Sequence, residues 1–141
     1  MSARTFTSPV PVAFGDMDYA RVLYFPRVFH YVHRVMEDWF AREFSLPYDR
    51  FLGERQLGLP TVHAEADYAT PIRYGDALQC TMSVRRLGAS SVDLRFVFSV
   101  NDAAVCEART TVVCVDMVSF TKRALPEDLR ASLAAFLVQQ G

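Results

Sequence analysis

The sequence predicts an α+β fold in which one long, enclosed helix lies against a curved antiparallel sheet of about five strands, with a further helix at the C-terminus. Three observations carry that expectation. Apolar residues recur at helical intervals over 26–43, alternate at two-residue intervals over 78–100, and return to helical spacing over 126–139. Turns at Tyr74-Gly75-Asp76, Gly88-Ala89-Ser90 and Asn101-Asp102-Ala103 separate the extended runs at hairpin-like intervals, which makes successive strands antiparallel neighbours.

Residues 6–14 read as extended, but Pro9 and Pro11 remove two ladder donors, so the strand is short or interrupted and suits an edge. Residues 15–24 form a connector with turn chemistry at its start and apolar residues at its end. Pro26 suits a first helical turn, and Val28, Val32, Val35, Met36, Trp39 and Phe40 then recur at spacings of three and four. Phe29 and Tyr31 widen that stripe, so a helix over 26–43, about 27 Å long, should be enclosed by other structure. A loop containing Pro47, Gly53, Gly58 and Pro60 follows. Leu78, Cys80, Met82 and Val84 share one parity, as do Val92, Leu94, Phe96, Phe98 and Val100, with Asp93, Arg95 and Ser99 opposite. The last strand is expected over about 104–118, with Arg109, Thr111, Val113 and Val115 on one face and Ala108, Thr110, Val112 and Cys114 on the other. Pro126, Leu129, Leu133, Phe136 and Leu137 predict a peripheral terminal helix over 126–139.

The 141 residues suit one domain over 1–141, and 51% hydrophobic content with 11 Phe and 6 Tyr is ample for a packed core. No repeat, linker or low-complexity segment interrupts it. With 15 Lys and Arg against 16 Asp and Glu, the chain has no field to hold a polyanion, which argues against nucleic acid as a partner. Met1 to Phe6 shows no leader pattern and no apolar run reaches the length of a membrane span, so a cytoplasmic protein with no membrane partner is expected. Cys80, Cys106 and Cys114 read as buried thiols; on one extended strand Cys106 and Cys114 would lie roughly 26 Å apart, beyond disulfide reach.

The connector Phe14-Gly15-Asp16-Met17-Asp18-Tyr19-Ala20-Arg21-Val22-Leu23-Tyr24-Phe25-Pro26 sets two carboxylates just ahead of a helix. Unpaired N–H groups and partial positive charge at a helix start can stabilise negative charge on a carbonyl oxygen, while a nearby carboxylate attacks the carbon or activates water. Asp ahead of a helix also serves as a cap or turn former, and spacing alone leaves both readings open. His30, His33 and Glu37 share a helix face, but no second cluster supplies further ligands, so no metal is expected. His33 alone reads as a satisfied core histidine, and Tyr24 as core or pocket wall. Arg73, Arg85, Arg86, Lys122 and Arg123 read as solvated charge.

The connector resembles the N-terminal signature of the 4-hydroxybenzoyl-CoA thioesterase family: phenylalanine, glycine, Asp-x-Asp, an apolar-aromatic run, then proline and an aromatic-rich helix. Tyr68, Pro71, Gly75, Asp76 and Leu78 resemble a second run common in related hotdog thioesterases. That resemblance implies a hotdog fold and hydrolysis of an acyl-CoA, with Asp18 as the catalytic carboxylate and Asp16 as a structural turn residue. It implies that the Phe25 N–H faces the thioester oxygen, that His33 and Tyr24 lie near the acyl or aroyl group, and that His63 approaches from a partner chain. It implies no metal or cofactor, and a homo-oligomer, dimer or tetramer, with shared sites. An aromatic acyl group is favoured, with a short or medium aliphatic one open. A non-catalytic acyl-CoA-binding module and a hotdog hydratase or dehydratase are the alternative readings. Arg21 departs from the glycine usual at its position.

Overall fold

The computed structural model describes residues 4–138, which leaves the expected helix end at residue 139 and residues 1–3 of the N-terminal reading outside the described residues. Strand β1 is Phe6–Pro9, helix α1 Arg27–Trp39, helix α2 Tyr48–Arg55 and strand β2 Leu57–Gly58. Strands β3 Thr61–Tyr68, β4 Leu78–Leu87, β5 Ser91–Val100 and β6 Ala103–Val113 follow, then β7 Val115–Asp116 and helix α3 Glu127–Ala134. Five strands form one antiparallel sheet in the order β1-β4-β5-β6-β3. The two prolines fit this order, because β1 is short and lies at an edge.

The alternating parities point into the core as expected: Leu78, Cys80, Met82 and Val84 of β4 and Val92, Leu94, Phe96 and Phe98 of β5 are all buried. Against them α1 buries Val28, Tyr31, Val32, Val35, Met36 and Trp39. Its opposite side, with His30, His33, Arg34 and Glu37, is exposed, so the sheet encloses one side of the helix rather than surrounding it. Beyond Trp39 the helix widens into a π turn over Phe40–Phe44 that ends at Ser45, whose φ is +60°. The turn gathers aromatic rings: Trp39 stacks on Phe44 at 6.4 Å and Phe40 lies 5.4 Å from Phe51. Cys80, Cys106 and Cys114 are buried free thiols.

Three expectations need correction. The stretch read as loop contains α2, which starts after Pro47 and buries only Phe51, so little apolar periodicity announces it. The last strand does not run to 118. It breaks at Cys114, whose N–H bonds Ser90 O at 2.7 Å; Cys114 and Val115 are both buried, and β7 leaves the large sheet to pair with β2. The terminal helix stops at Ala134, short of the expected length. Leu129, Leu133 and Phe136 are buried, and the chain beyond the helix bonds β4: Val84 N–H donates to Phe136 O and Val138 N–H to Val84 O, each at 2.9 Å. Because β1 covers β4 only from Gln79 to Met82, the backbone of Val84 is open to that pairing.

Candidate active site

The connector folds as a small hairpin. Met17 bridges Leu23, Asp18 N–H donates to Val22 O at 2.9 Å, and Arg21 N–H donates to Asp18 O at 2.9 Å. Arg21 completes it with φ +67°, the left-handed conformation that follows a tight turn in three-residue hairpin loops. Its place in the turn explains why glycine suits that position, and why an arginine can hold it at the cost of some strain. Asp18 takes part as a turn former: its Oδ1 accepts the Ala20 N–H at 2.8 Å. That leaves the Oδ2 oxygen without a donor among the described residues.

The two aspartates are turned to different tasks. Asp16 faces inward, its side chain only 13% exposed, and its Oδ2 accepts the Tyr31 hydroxyl at 2.6 Å. Arg27 lies 4.0 Å from its other oxygen. Burial, reinforced by the hydrogen bond to Asp16, pushes the Tyr31 phenol far above its ordinary range. Tyr24 N–H donates to Asp16 O at 3.0 Å and Leu23 N–H to Ile72 O at 2.7 Å, so the hairpin is tied to α1 on one side and to the 68–78 segment on the other.

Asp18 opens on a cleft of about 270 Å³, walled by Val22, Leu23 and Phe25 and by Tyr68 through Ile72. The two stretches that resemble thioesterase signatures are therefore opposite walls of one cleft. Arg27, Val28 and Phe29 N–H groups are taken up by the carbonyls of Tyr24, Phe25 and Pro26, at 2.8, 3.4 and 3.2 Å. The Phe25 N–H, one step earlier, has no acceptor among the described residues. Tyr68 ties down the next peptide, Phe25–Pro26, by donating its hydroxyl to Phe25 O at 2.5 Å. The sequence reading used Tyr68 only as part of a signature and missed this contact; an aromatic hydroxyl three residues before Pro71 was the available signal. Gly75, at φ +95°, and Asp76, whose Oδ2 accepts the Arg73 N–H at 2.8 Å, close the turn behind that wall.

The remaining candidates lie apart from Asp18 within one chain. Tyr24 is 48% exposed, edge-on to Phe25 at 5.5 Å, so it is not a core residue and does not line the cleft. His33 is no core histidine either: its side chain is 54% exposed, with Nδ1 3.4 Å from Glu37 and the ring edge-on to Tyr48. It borders a separate cavity of about 160 Å³ between α1 and the strands β3 and β6. His63 is exposed on β3, 3.8 Å from Glu65, about 16 Å of strand away from Tyr68. Arg109 is bound by Glu65, Asp67 and Glu107 on the sheet's outer face. Among the described residues, no group of three or more His, Cys, Asp and Glu is arranged to hold a metal ion, and no helix is long and apolar enough to cross a membrane.

Comparison with known proteins bears on the family and the fold. The sequence model of the Thioesterase-like superfamily matches residues 12–133. A 1,4-dihydroxy-2-naphthoyl-CoA hydrolase of Nostoc punctiforme is 29% identical over 125 residues, 89% of this chain and 84% of the relative. One from Synechococcus elongatus is 31% identical over 120 residues, 84% of this chain and 88% of that protein. Among solved structures, a 1,4-dihydroxy-2-naphthoyl-CoA thioesterase from Synechocystis superposes with a TM-score of 0.84 at 26% identity, covering 93% of this chain and 96% of the other. A thioesterase superfamily protein from Jannaschia gives 0.89 at 21% identity over 96% and 94% of the two chains, a likeness of fold. Matched along most of its length in sequence and in fold, the chain belongs to the Thioesterase-like superfamily and has its hotdog architecture.

Proposed function

We propose that the protein hydrolyses an acyl-CoA thioester to the free acid and CoA, with Asp18 as nucleophile or general base. The observation that carries this reading is that one cleft is lined both by Asp18 and by Phe25, just ahead of α1, whose backbone N–H has no acceptor among the described residues. A thioester carbonyl oxygen on that amide would gain a hydrogen bond and the positive end of the helix dipole as negative charge develops. Asp18 then attacks the carbonyl carbon to give a mixed anhydride that water opens, or takes a proton from the attacking water. In either course the C–S bond breaks and CoA leaves as a thiolate, a leaving group good enough to need no dedicated acid. Tyr68, by holding the adjacent Phe25–Pro26 carbonyl, steadies the residue whose N–H is the oxyanion donor.

The names of the relatives favour an aromatic acyl group. We assign His33 and Tyr24 to the acyl group's surroundings on the resemblance, and His63 to the site of a partner chain, because within its own chain it lies far along β3. Strand β3 supports that assembly. It has one neighbour, β6, and no proline, and all its residues except Ala66 are exposed, whereas the other edge, β1, is blunted by Pro9. Two chains joined along β3 would form one continuous sheet and set the exposed faces of α1 near each other. A panel of aromatic and aliphatic acyl-CoAs, assayed with a thiol-detecting dye, tests the activity. Release of CoA from at least one class is expected; tight binding with no CoA release would make the protein a binding module instead.

A further inference from the structure

Strand β4 becomes irregular just beyond the stretch that β1 covers. Its register with β5 slips between Val84, opposite Leu94, and Arg86, opposite Asp93, so one extra residue is fitted into β4. A bulge of this kind re-aims the side chains around it. Val84 is buried and Leu87 packs against the core, which leaves Arg85 and Arg86 both exposed on the sheet's outer face, away from α1. On that face Ser83, Arg95, Arg109 and Glu65 stand in one row across four strands. Arginines directly opposite one another repel, and Glu107 holds this pair together: Arg95 Nη2 donates to its Oε1 at 2.8 Å and Arg109 Nη1 to its Oε2. Glu65 and Asp67 take up the rest of Arg109. Arg95 spends only Nη2, and Arg85 forms no ion pair among the described residues.

These side chains rim a cavity of about 410 Å³, lined by Ser83, Arg85, Arg95, Glu107, Arg109 and Val138. It shares no lining residue with the Asp18 cleft and lies across the sheet from α1. Ser83 is only 6% exposed, yet its hydroxyl has no hydrogen-bond partner among the described residues. A buried hydroxyl without a partner is costly, and a ligand or water that supplies one relieves the cost. Three guanidinium groups face one carboxylate in the cavity, and both oxygens of that carboxylate are already taken. What remains is donors and positive charge: all of Arg85, the unspent nitrogens of Arg95, and the Ser83 hydroxyl. We propose that this cavity is a second binding site, separate from the Asp18 cleft, in which Arg85, Arg95 and Ser83 hold the phosphate group of a small molecule. Two guanidinium forks and a hydroxyl on different sides suit the several oxygens of a tetrahedral anion better than the two coplanar oxygens of a carboxylate. Free phosphate and the nucleotide end of CoA both offer such a group.

Calorimetry on the full chain tests the site without reference to turnover, with inorganic phosphate as the probe and ionic strength held constant with chloride. The wild type should bind one phosphate per chain. Ser83→Ala and Arg85→Gln should each weaken binding by about tenfold or more, since each removes a hydrogen bond to a charged group. Arg86→Gln removes the same charge from the same bulge but does not line the cavity, so it should weaken binding by less than about threefold. Thermal melting gives a second readout: phosphate should raise the midpoint of the wild type and of Arg86→Gln, and should do so far less for the other two variants. Adenosine 3′,5′-bisphosphate, titrated in parallel, separates the two sources. Tighter binding than inorganic phosphate, lost in Arg85→Gln, identifies the nucleotide end of CoA as the occupant; equal or weaker binding identifies free phosphate. Failure of the folded wild type to bind either probe would overturn the proposal. So would equal losses in Arg85→Gln and Arg86→Gln, which would reduce the effect to the general charge of the face.

Discussion

Removing the Tyr31 hydroxyl isolates the contact on which the connector hairpin depends. Tyr31 is fully buried and its hydroxyl donates to the Asp16 carboxylate at 2.6 Å, a charge-assisted hydrogen bond with little access to water. Tyr31→Phe keeps the ring and its packing, so the loss is that of the hydrogen bond plus the desolvation of a carboxylate left without its main donor, together about 2 kcal/mol. Asp16→Asn keeps the shape and removes the charge, for about 1–2 kcal/mol. Because the two changes remove the same interaction, the double variant should lose little more than Tyr31→Phe alone, giving a coupling energy of about 1.5 kcal/mol. Urea unfolding of the four proteins at one protein concentration measures it; the Tyr31→Phe midpoint should fall by about 1 M for a slope near 2 kcal/mol/M. Turnover should fall as well, since the Asp16 backbone also anchors Tyr24, but by less than on removing Asp18. Additive losses, with coupling below about 0.5 kcal/mol, would refute the claim that Asp16 works by holding the connector to α1.

Three further outcomes are expected. Arg21→Gly relieves a left-handed residue, worth about 1–2 kcal/mol, against a partly offsetting gain in unfolded-chain entropy, so stability should hold or rise and activity persist. Arg21→Val should lose both, and loss of turnover in the glycine variant would show that the arginine side chain itself takes part. Stability should decline with alkali: burial pushes Cys106 up to about 11 and raises Cys80, Tyr31 and Tyr48. Above the ordinary values of 9.0 for thiols and 10.0 for phenols the unfolded chain has therefore lost protons that the native chain retains, and the contribution of these groups disappears as pH rises; a melting temperature flat from pH 8 to 11 would contradict this. Light scattering at micromolar concentration should give two or four chains per particle, and an active monomer would remove the partner role of His63.

Much of the fold was legible because burial on one face writes a period into a sequence. The run from Val92 to Phe98 and the stripe from Val28 to Trp39 were recovered residue by residue. Where the period is weak the reading failed. Helix α2 buries a single side chain, and the break at Cys114 comes with a hydrogen bond from its N–H to Ser90 O that no spacing encodes. The wide turn at Phe40–Phe44 reflects the fit of several aromatic rings from distant segments. In the site, the two signature stretches could be recognised separately, but their meeting across one cleft depends on Tyr68 reaching Phe25, 43 residues away in sequence. His33 was misread as core because a histidine on an apolar helix cannot be told, from one chain's sequence, from one left facing outward.

The central claim is that Asp18, and not Asp16, does the chemistry, and a single-turnover comparison of Asp18→Asn with Asp16→Asn tests it most directly. Each variant, in excess over one hydrolysable acyl-CoA, is followed by CoA release, with substrate binding measured separately by calorimetry. Asp18→Asn should bind as the wild type does and release CoA about 10²–10⁴-fold more slowly, because an amide can neither attack the carbonyl nor take a proton from water. Asp16→Asn should be destabilised yet retain most of its chemical rate. An Asp18→Asn protein within a few-fold of wild type, or an Asp16→Asn protein with the larger loss of rate, would contradict the account.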